Sequence, residues 1–118
     1  MEPWTIEPTD RFTADQAWYA KKHPRELEAV LNNLQRFVSQ LKYAKKSRCI
    51  EAGYIHHEPH GVKALDQKAG GSSLQETRLY LFPEEQKKIL YLITIGNKND
   101  QQDDIKLATR FVQSLNAP

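Results

Sequence analysis

Residues 77–95, TRLYLFPEEQKKILYLITI, decide the fold, because two apolar runs flank a short polar segment. Residues 77–82 are predicted to form a β-strand, residues 83–86 a turn that begins with Pro83, and residues 88–95 a second strand. The second run is apolar on both faces, which is typical of a strand in the interior of a sheet. An antiparallel strand pair is therefore predicted at the centre of the domain.

The N-terminal part of the chain predicts a short strand and two helices. Residues 4–7 alternate apolar and polar side chains between two prolines, which indicates a strand at a sheet edge. A capping-box pattern at residues 13–16 predicts a helix from about residue 13 to residue 22, ended by His23-Pro24. A second helix begins at Pro24, and its apolar side chains recur every three or four residues: Leu27, Val30, Leu31, Leu34, Phe37, Val38 and Leu41. Trp4 and Trp18 are expected to pack this helix pair on the sheet.

The remaining segments complete an α+β pattern. Residues 47–60 show no clear period, residues 61–67 are predicted to form a strand, and residues 70–73 a flexible turn. Asp100 is expected to cap a last helix with one apolar face. The predicted fold is one domain over residues 1–118, with the helix hairpin and the C-terminal helix on one face of a small, mostly antiparallel sheet.

Composition narrows the class of protein. The chain has 118 residues, a net charge of +2, 39% hydrophobic and 27% charged residues, and one cysteine. A single thiol forms no internal disulfide and no thiolate zinc cluster. No run approaches the roughly 18 apolar residues of a membrane helix, and the N-terminus does not read as a signal peptide. We therefore expect a soluble cytoplasmic protein with no cofactor, no metal and no membrane partner.

Two segments resemble one family. Residues 76–82 (ETRLYLF) are similar to the arginine-bearing middle strand of RelE- and HigB-like toxins. Residues 92–105 (LITIGNKNDQQDDI) are similar to their last strand, lysine-containing loop and C-terminal helix start. The order of elements over residues 13–115 also resembles the RelE/ParE superfamily. Residues 47–60 depart from the family pattern, since they are longer and richer in histidine than the usual link.

The resemblance implies a RelE-like fold and a toxin of a type II toxin–antitoxin system, held inactive by an antitoxin protein. RelE-like members cleave mRNA, often on the ribosome, and thereby inhibit translation. ParE-like members bind DNA gyrase and do not cleave RNA. The chain is thus expected to be an mRNA endoribonuclease acting by metal-independent attack of the 2′-hydroxyl. The alternatives are a non-catalytic gyrase binder and an inactive member that binds only protein partners.

Metal-free RNA cleavage needs a base, an acid and cations for the phosphorane. If Leu79 and Leu81 face the helices, then Arg78, Tyr80 and Phe82 lie on the open face of the sheet, where they can hold a phosphate and stack a base. An exposed charge pair is the simpler explanation of Arg78, and a solvated loop residue that of Lys98. The candidate catalytic residues are Arg78, Lys98 and His57, and the candidate RNA-binding residues are Lys63, Lys68, Tyr80, His60 and Lys46.

Overall fold

The structure is a computed structural model that describes residues 3–68 and 73–116. Its helices and strands follow the order β1 (Thr5–Pro8), α1 (Asp10–Lys22), α2 (Pro24–Leu41), β2 (Ile55–His57), β3 (Lys63–Asp66), β4 (Thr77–Glu84), β5 (Ile89–Asn97) and α3 (Gln101–Leu115). The predicted α+β class is confirmed. Most of the predicted turn at residues 70–73 lies outside the described residues. In the described ranges, no helix is both long and apolar enough to cross a membrane.

The five strands form one sheet in the order β1-β5-β4-β3-β2. β1 runs parallel to β5 at one edge, and all other neighbours are antiparallel. The interior position predicted for residues 88–95 is therefore confirmed. The predicted turn at residues 83–86 is placed too early, because Pro83 and Glu84 still pair with β5. Proline is tolerated there because the pairing of β4 with β3 ends at Leu81, so β4 has the character of an edge strand at Pro83.

One strand was not predicted. Ile55–His57 pairs with β3 and closes the far edge of the sheet. It has only three residues, two of them histidines, so it shows no alternation that could reveal it. The segment before the sheet is thus partly structured.

The first helix begins earlier than its capping-box pattern indicates. Its N-cap is Thr9, whose hydroxyl oxygen accepts a hydrogen bond from the Phe12 N–H at 3.0 Å. The same hydroxyl donates to the Ile93 carbonyl at 2.8 Å, so a contact with the sheet selects this cap. Thr13 instead donates to the Thr9 carbonyl. The second helix begins at Pro24 as predicted.

The helices cover both faces of the sheet, which corrects the predicted single covered face. The hairpin face carries Leu79 and Leu81 and packs against α1 and α2. The α3 face carries Tyr80 and packs against Ala108 and Val112 of α3. The side chains of β4 alternate between the two faces of the sheet as predicted. This alternation separates the faces but does not indicate that a helix covers each of them.

The two tryptophans have different environments. Trp4 is partly buried against the hairpin-face core, in line with its predicted packing role. Trp18 is 49% exposed, so the prediction that it packs the helix pair on the sheet is wrong. Its ring contacts Tyr19 and His23 on the outer surface of the first helix.

Candidate functional site

A basic cleft of about 800 Å³ lies where the segment after α2 meets β3 and the β4–β5 turn. Its basic side chains outnumber its carboxylates. The cations are Lys45, Lys46, Arg48, Lys63 and Lys88, the carboxylates are Glu58, Glu84 and Glu85, and the lining also includes His57 and Phe82. The excess of positive charge makes the basic cleft suited to an anionic ligand.

Lys63 is the most deeply placed cation of the cleft. It begins β3 and is only 4% exposed. Its Nζ lies 3.0 Å from His57 Nδ1. Burial lowers the pKa of Lys63, while the charges of Glu51 and Glu85 oppose that shift. The structure therefore places the Lys63 amine, which releases its proton more readily than an exposed lysine does, next to the His57 imidazole.

His57 connects Lys63 to a carboxylate. Its Nε2 lies 2.8 Å from Glu51 Oε1, and its side chain is 46% exposed. An ammonium group only donates, so Nδ1 of His57 is assigned as the acceptor and Nε2–H as the donor to Glu51. The three side chains form one hydrogen-bonded row that reaches solvent, an arrangement through which a proton can pass.

Glu85 fixes the wall of the cleft that carries three of its cations. Its Oε1 accepts a hydrogen bond from the backbone N–H of Ser47 at 2.5 Å. Burial opposes ionisation of Glu85, but hydrogen bonds from Ser47 and the charge of Lys88 outweigh it and lower the pKa of Glu85. Ser47 is held against the β4–β5 turn in this way, which fixes the segment that carries Lys45, Lys46 and Arg48.

These three cations have no carboxylate of the described chain within 4.0 Å. Their charge is therefore available to an external anion. Phe82 adds an aromatic surface to the lining. Gly61 adopts a positive φ of 82°, and a Cβ there would lie 3.1 Å from Phe82 Cε1. Glycine at this turn lets the backbone approach the ring closely.

Three of the predicted site residues come together in the basic cleft: His57, Lys63 and Lys46. Lys68 lies outside it, at the other end of β3, where its Nζ is 3.6 Å from Asp66. His60 is exposed, has a positive φ of 63° and does not line the cleft. The third histidine of this segment, His56, lies apart from His57, because its Nε2 contacts Asp66 Oδ2 at 2.7 Å. Alternation along β2 sends His56 and His57 to opposite faces.

Arg78 and Tyr80 occupy environments that differ from the predicted open face. Arg78 contacts Glu58 at 3.7 Å and Glu76 at 3.4 Å, and its side chain is largely buried. Tyr80 is fully buried, so no ring surface is exposed there for a base to stack on. The predicted exposure of both is wrong, because α3 covers Tyr80 and Glu58 and Glu76 lie against the Arg78 guanidinium.

Lys98 follows β5 in the helical turn Lys98–Asp100 and is exposed. Gly96, two residues earlier, pairs with Arg78, so both predicted cations lie at the same end of the sheet. Neither lines the basic cleft, which lies near the opposite end of β5, where Lys88 precedes the strand. Arg78 approaches the cleft only through Glu58, which contacts it and lines the cleft.

Two functional candidates were missed by the sequence analysis. Glu51 lies in the segment without periodicity, and Glu85 lies in a polar turn, so no pattern singles out either side chain. Arg48 was signalled only by the short basic run KKSR at residues 45–48. The roles of both glutamates depend on contacts across the fold, with His57 and Ser47.

Neither a protein-family model nor a curated protein matches this chain.

Proposed function

We propose that the chain is a cytoplasmic endoribonuclease that cleaves mRNA without a metal, inhibits translation, and acts as the toxin of a type II toxin–antitoxin pair. The observation that carries the proposal is the buried Lys63, hydrogen-bonded to His57 inside a cleft whose Lys45, Lys46 and Arg48 form no ion pair among the described residues. The resemblance of residues 76–82 and 92–105 to RelE-like toxins supports the same reaction class.

In the proposed reaction, the Lys63–His57 pair takes the proton of the 2′-hydroxyl. Burial lowers the pKa of Lys63, which increases the fraction of neutral amine at neutral pH. The 2′-oxygen attacks the adjacent phosphorus, the bond to the 5′-oxygen breaks, and a 2′,3′-cyclic phosphate forms. His57 and Glu51 carry the accepted proton away from the reacting oxygen along their hydrogen bond.

The other cations of the cleft supply binding and charge stabilisation. Lys46 and Arg48 are proposed to contact phosphate oxygens, and the ammonium of Lys46 to protonate the leaving 5′-oxygen. Phe82 is proposed to stack a base in place of Tyr80, since Phe82 lines the cleft. Cations and an aromatic ring in one cleft suit single-stranded RNA.

Arg78 and Lys98 keep separate roles in this proposal. Arg78 supports Glu58 behind the cleft through their contact at 3.7 Å. Lys98 is an exposed cation at the far end of β5, available to a neighbouring part of a long RNA or to the ribosome. The antitoxin is proposed as the protein partner of the whole domain.

Incubation of the purified chain with RNA in excess EDTA tests the proposal. We expect fragments that end in 2′,3′-cyclic phosphate, and a loss of at least about 100-fold in rate for Lys63→Met. Lys68→Met is the matched control, because this lysine lies on the same part of the chain but outside the basic cleft. It should retain the wild-type rate within about threefold.

Three results would overturn the proposal. No cleavage by the wild type, on free RNA or on translating ribosomes, would contradict the enzyme and favour a binding protein of the ParE-like kind. Equal losses of cleavage rate in Lys63→Met and Lys68→Met would show that the basic cleft is not the site of cleavage. A loss in Lys98→Met without one in Lys63→Met would move the site to the end of the sheet that carries Arg78.

A further inference from the structure

A second pocket, of about 230 Å³, lies between α1 and the start of α3 and is acidic. Its lining holds four aspartates and a single arginine: Asp15, Asp100, Asp103, Asp104 and Arg11. Trp18, Tyr19, Ile95 and Asn97 complete this acidic pocket. It belongs to a different part of the surface from the basic cleft and shares no residue with it.

Within the acidic pocket, Asp15 has a complete set of partners. Its carboxylate accepts hydrogen bonds from the Thr94 hydroxyl and from the Ile95 N–H at 3.1 Å. Arg11 Nε lies 3.3 Å from both oxygens of the same carboxylate. The one cation of the pocket is thus already engaged, and Asp15 is explained by its role along β5.

Asp104 has no such explanation. It is 5% exposed, and its Oδ2 is buried without a hydrogen-bond partner among the described residues. It also forms no ion pair there. An acidic residue in a first helical turn is favourable next to the helix dipole, but that effect does not require burial of the carboxylate. A cation that reaches this carboxylate would offset part of the cost of burying its charge.

The surroundings add to the negative potential of the acidic pocket. Burial first, and then the charges of Asp100 and Asp104, raise the pKa of Tyr19 to about 12. Asp100 occupies the N-cap position of α3, as predicted, but its side chain accepts no capping hydrogen bond, and its carboxylate lines the acidic pocket. In the described residues, no group of three or more acidic, histidine or cysteine side chains is placed to hold a metal ion. An organic cation that spans separated carboxylates fits better than a compact one.

The aromatic rim identifies the kind of cation. Trp18 lines the acidic pocket and is 49% exposed. A guanidinium group can stack on an indole while its N–H groups reach carboxylates, whereas an ammonium is a compact point charge. The small volume admits one side chain rather than a large ligand, and the exposed ring offers a surface to the polypeptide that carries it.

We propose that this acidic pocket binds the guanidinium group of an arginine side chain presented by a protein partner. The guanidinium contacts Asp104 together with Asp100 or Asp103 and stacks on the Trp18 ring. The site is independent of RNA cleavage, because it uses none of the residues of the basic cleft.

NMR titration of the full chain tests this site. The probe is the blocked peptide Ala-Ala-Arg-Ala-Ala, and the control peptide carries citrulline, which has nearly the same shape without the charge. We expect saturable shifts of the Trp18 indole and Gly96 amide signals with the arginine peptide only. Asp104→Asn should weaken binding at least about tenfold, and Glu28→Gln, an exposed carboxylate on α2, should not.

Each contrary result overturns the proposal in a defined way. Equal binding of the two peptides, or undiminished binding to Asp104→Asn, removes the guanidinium site. Agmatine bound tenfold more tightly than the peptide indicates a small-molecule site, and Mg²⁺ bound more tightly than either indicates a metal site. If Asp104→Asn does not fold, Trp18→Leu replaces it, and unchanged peptide binding in that variant is equally contradictory.

Discussion

The basic cleft and the acidic pocket each contain a buried charged residue, but the two residues differ in their hydrogen-bond partners. Lys63 in the basic cleft is hydrogen-bonded to His57, which is in turn hydrogen-bonded to Glu51. Asp104 in the acidic pocket has a buried oxygen with no partner in the described residues. Burial lowers the pKa of the lysine and raises that of the aspartate, since it disfavours the charged form of both.

This difference fits the two kinds of site that we propose. A buried amine with a hydrogen-bonded imidazole can pass a proton on, which suits catalysis. A buried carboxylate without a partner gains most from an external cation, which suits binding. The same cost of desolvation is therefore consistent with the proposed reaction at the basic cleft and with the proposed recognition at the acidic pocket.

Replacement of His57 should have the largest effect on the comparison. His57→Asn breaks the row from Lys63 to Glu51, so we expect the rate of RNA cleavage to fall at least about 100-fold. His60→Asn is the matched control, because His60 lies outside the basic cleft and asparagine tolerates its positive φ. Single-turnover cleavage in EDTA measures both, and similar rates for the two variants would contradict the proposed row.

Gly96→Ala, next to the acidic pocket, should lower the free energy of unfolding of the chain. A Cβ at Gly96 would lie 2.9 Å from Asp104 Cγ and still closer to its buried Oδ2, so side chain and strand cannot both keep their places. We expect a loss of about 1–3 kcal/mol in the free energy of unfolding, measured in urea. Asp104→Ala in the same chain should restore most of it. Gly53→Ala is the control, since its Cβ meets no atom within 4 Å, and an equal loss there would contradict the packing argument.

The pH dependence of the free energy of unfolding should show the titration of Asp104. Burial first, and then Asp100 and Asp15, raise the pKa of Asp104 to about 6 from an ordinary 3.8. The folded chain holds a proton that the unfolded chain releases, so the contribution of Asp104 to stability is largest below about pH 4 and decreases as pH rises to about 6.

Urea unfolding of the wild type and Asp104→Asn at pH 4 to 8 measures this contribution as a difference between two curves. The difference removes the titration of the other groups that influence or line this site: Arg11, Asp15, Tyr19, Tyr80, Asp100 and Asp103. We expect the wild type to lose stability relative to Asp104→Asn as pH rises through that window. A constant difference would show that the carboxylate is not desolvated.

The smallest effect concerns the salt dependence of RNA binding. Each of Lys45→Gln, Lys46→Gln and Arg48→Gln should reduce the slope of log K against log salt by about 0.7, the value for one phosphate contact on a single strand. Lys106→Gln, an exposed lysine on α3, should leave the slope unchanged. Filter binding of a non-cleavable RNA measures the slopes. A change in slope for Lys106→Gln as large as that for Lys46→Gln would indicate that RNA binds over the whole surface rather than in the basic cleft.

Local patterns predicted the long elements well. The apolar stripe of the second helix, the alternation of Leu79 and Leu81 against Tyr80, and the interior strand at residues 88–95 all reflect a period that each element carries within itself. β2 was missed because three residues are too few for a period, and the cap at Thr9 was missed because a carbonyl of a distant strand selects it.

The site was predictable only in part. His57, Lys63 and Lys46 were predicted site residues and line one cleft, whereas Arg78 and Lys98, which were expected to have the leading roles, do not line it. Glu51 had no signal, since its contact with His57 depends on the course of an irregular segment. The predicted exposure of Arg78 and Tyr80 was wrong because alternation separates two faces of a strand but does not show which face remains uncovered.

By itself the sequence determined the α+β class, the two long helices and the strand pair, because hydrophobic period and helix-stopping residues act over a few neighbouring positions. Three features depend on the tertiary structure: α3 covers the face of Tyr80, Lys63 is buried beside His57, and Asp104 Oδ2 is buried without a hydrogen-bond partner among the described residues. Burial and charge pairing depend on which distant segments meet, and it is these contacts that change the pKa of a lysine or an aspartate.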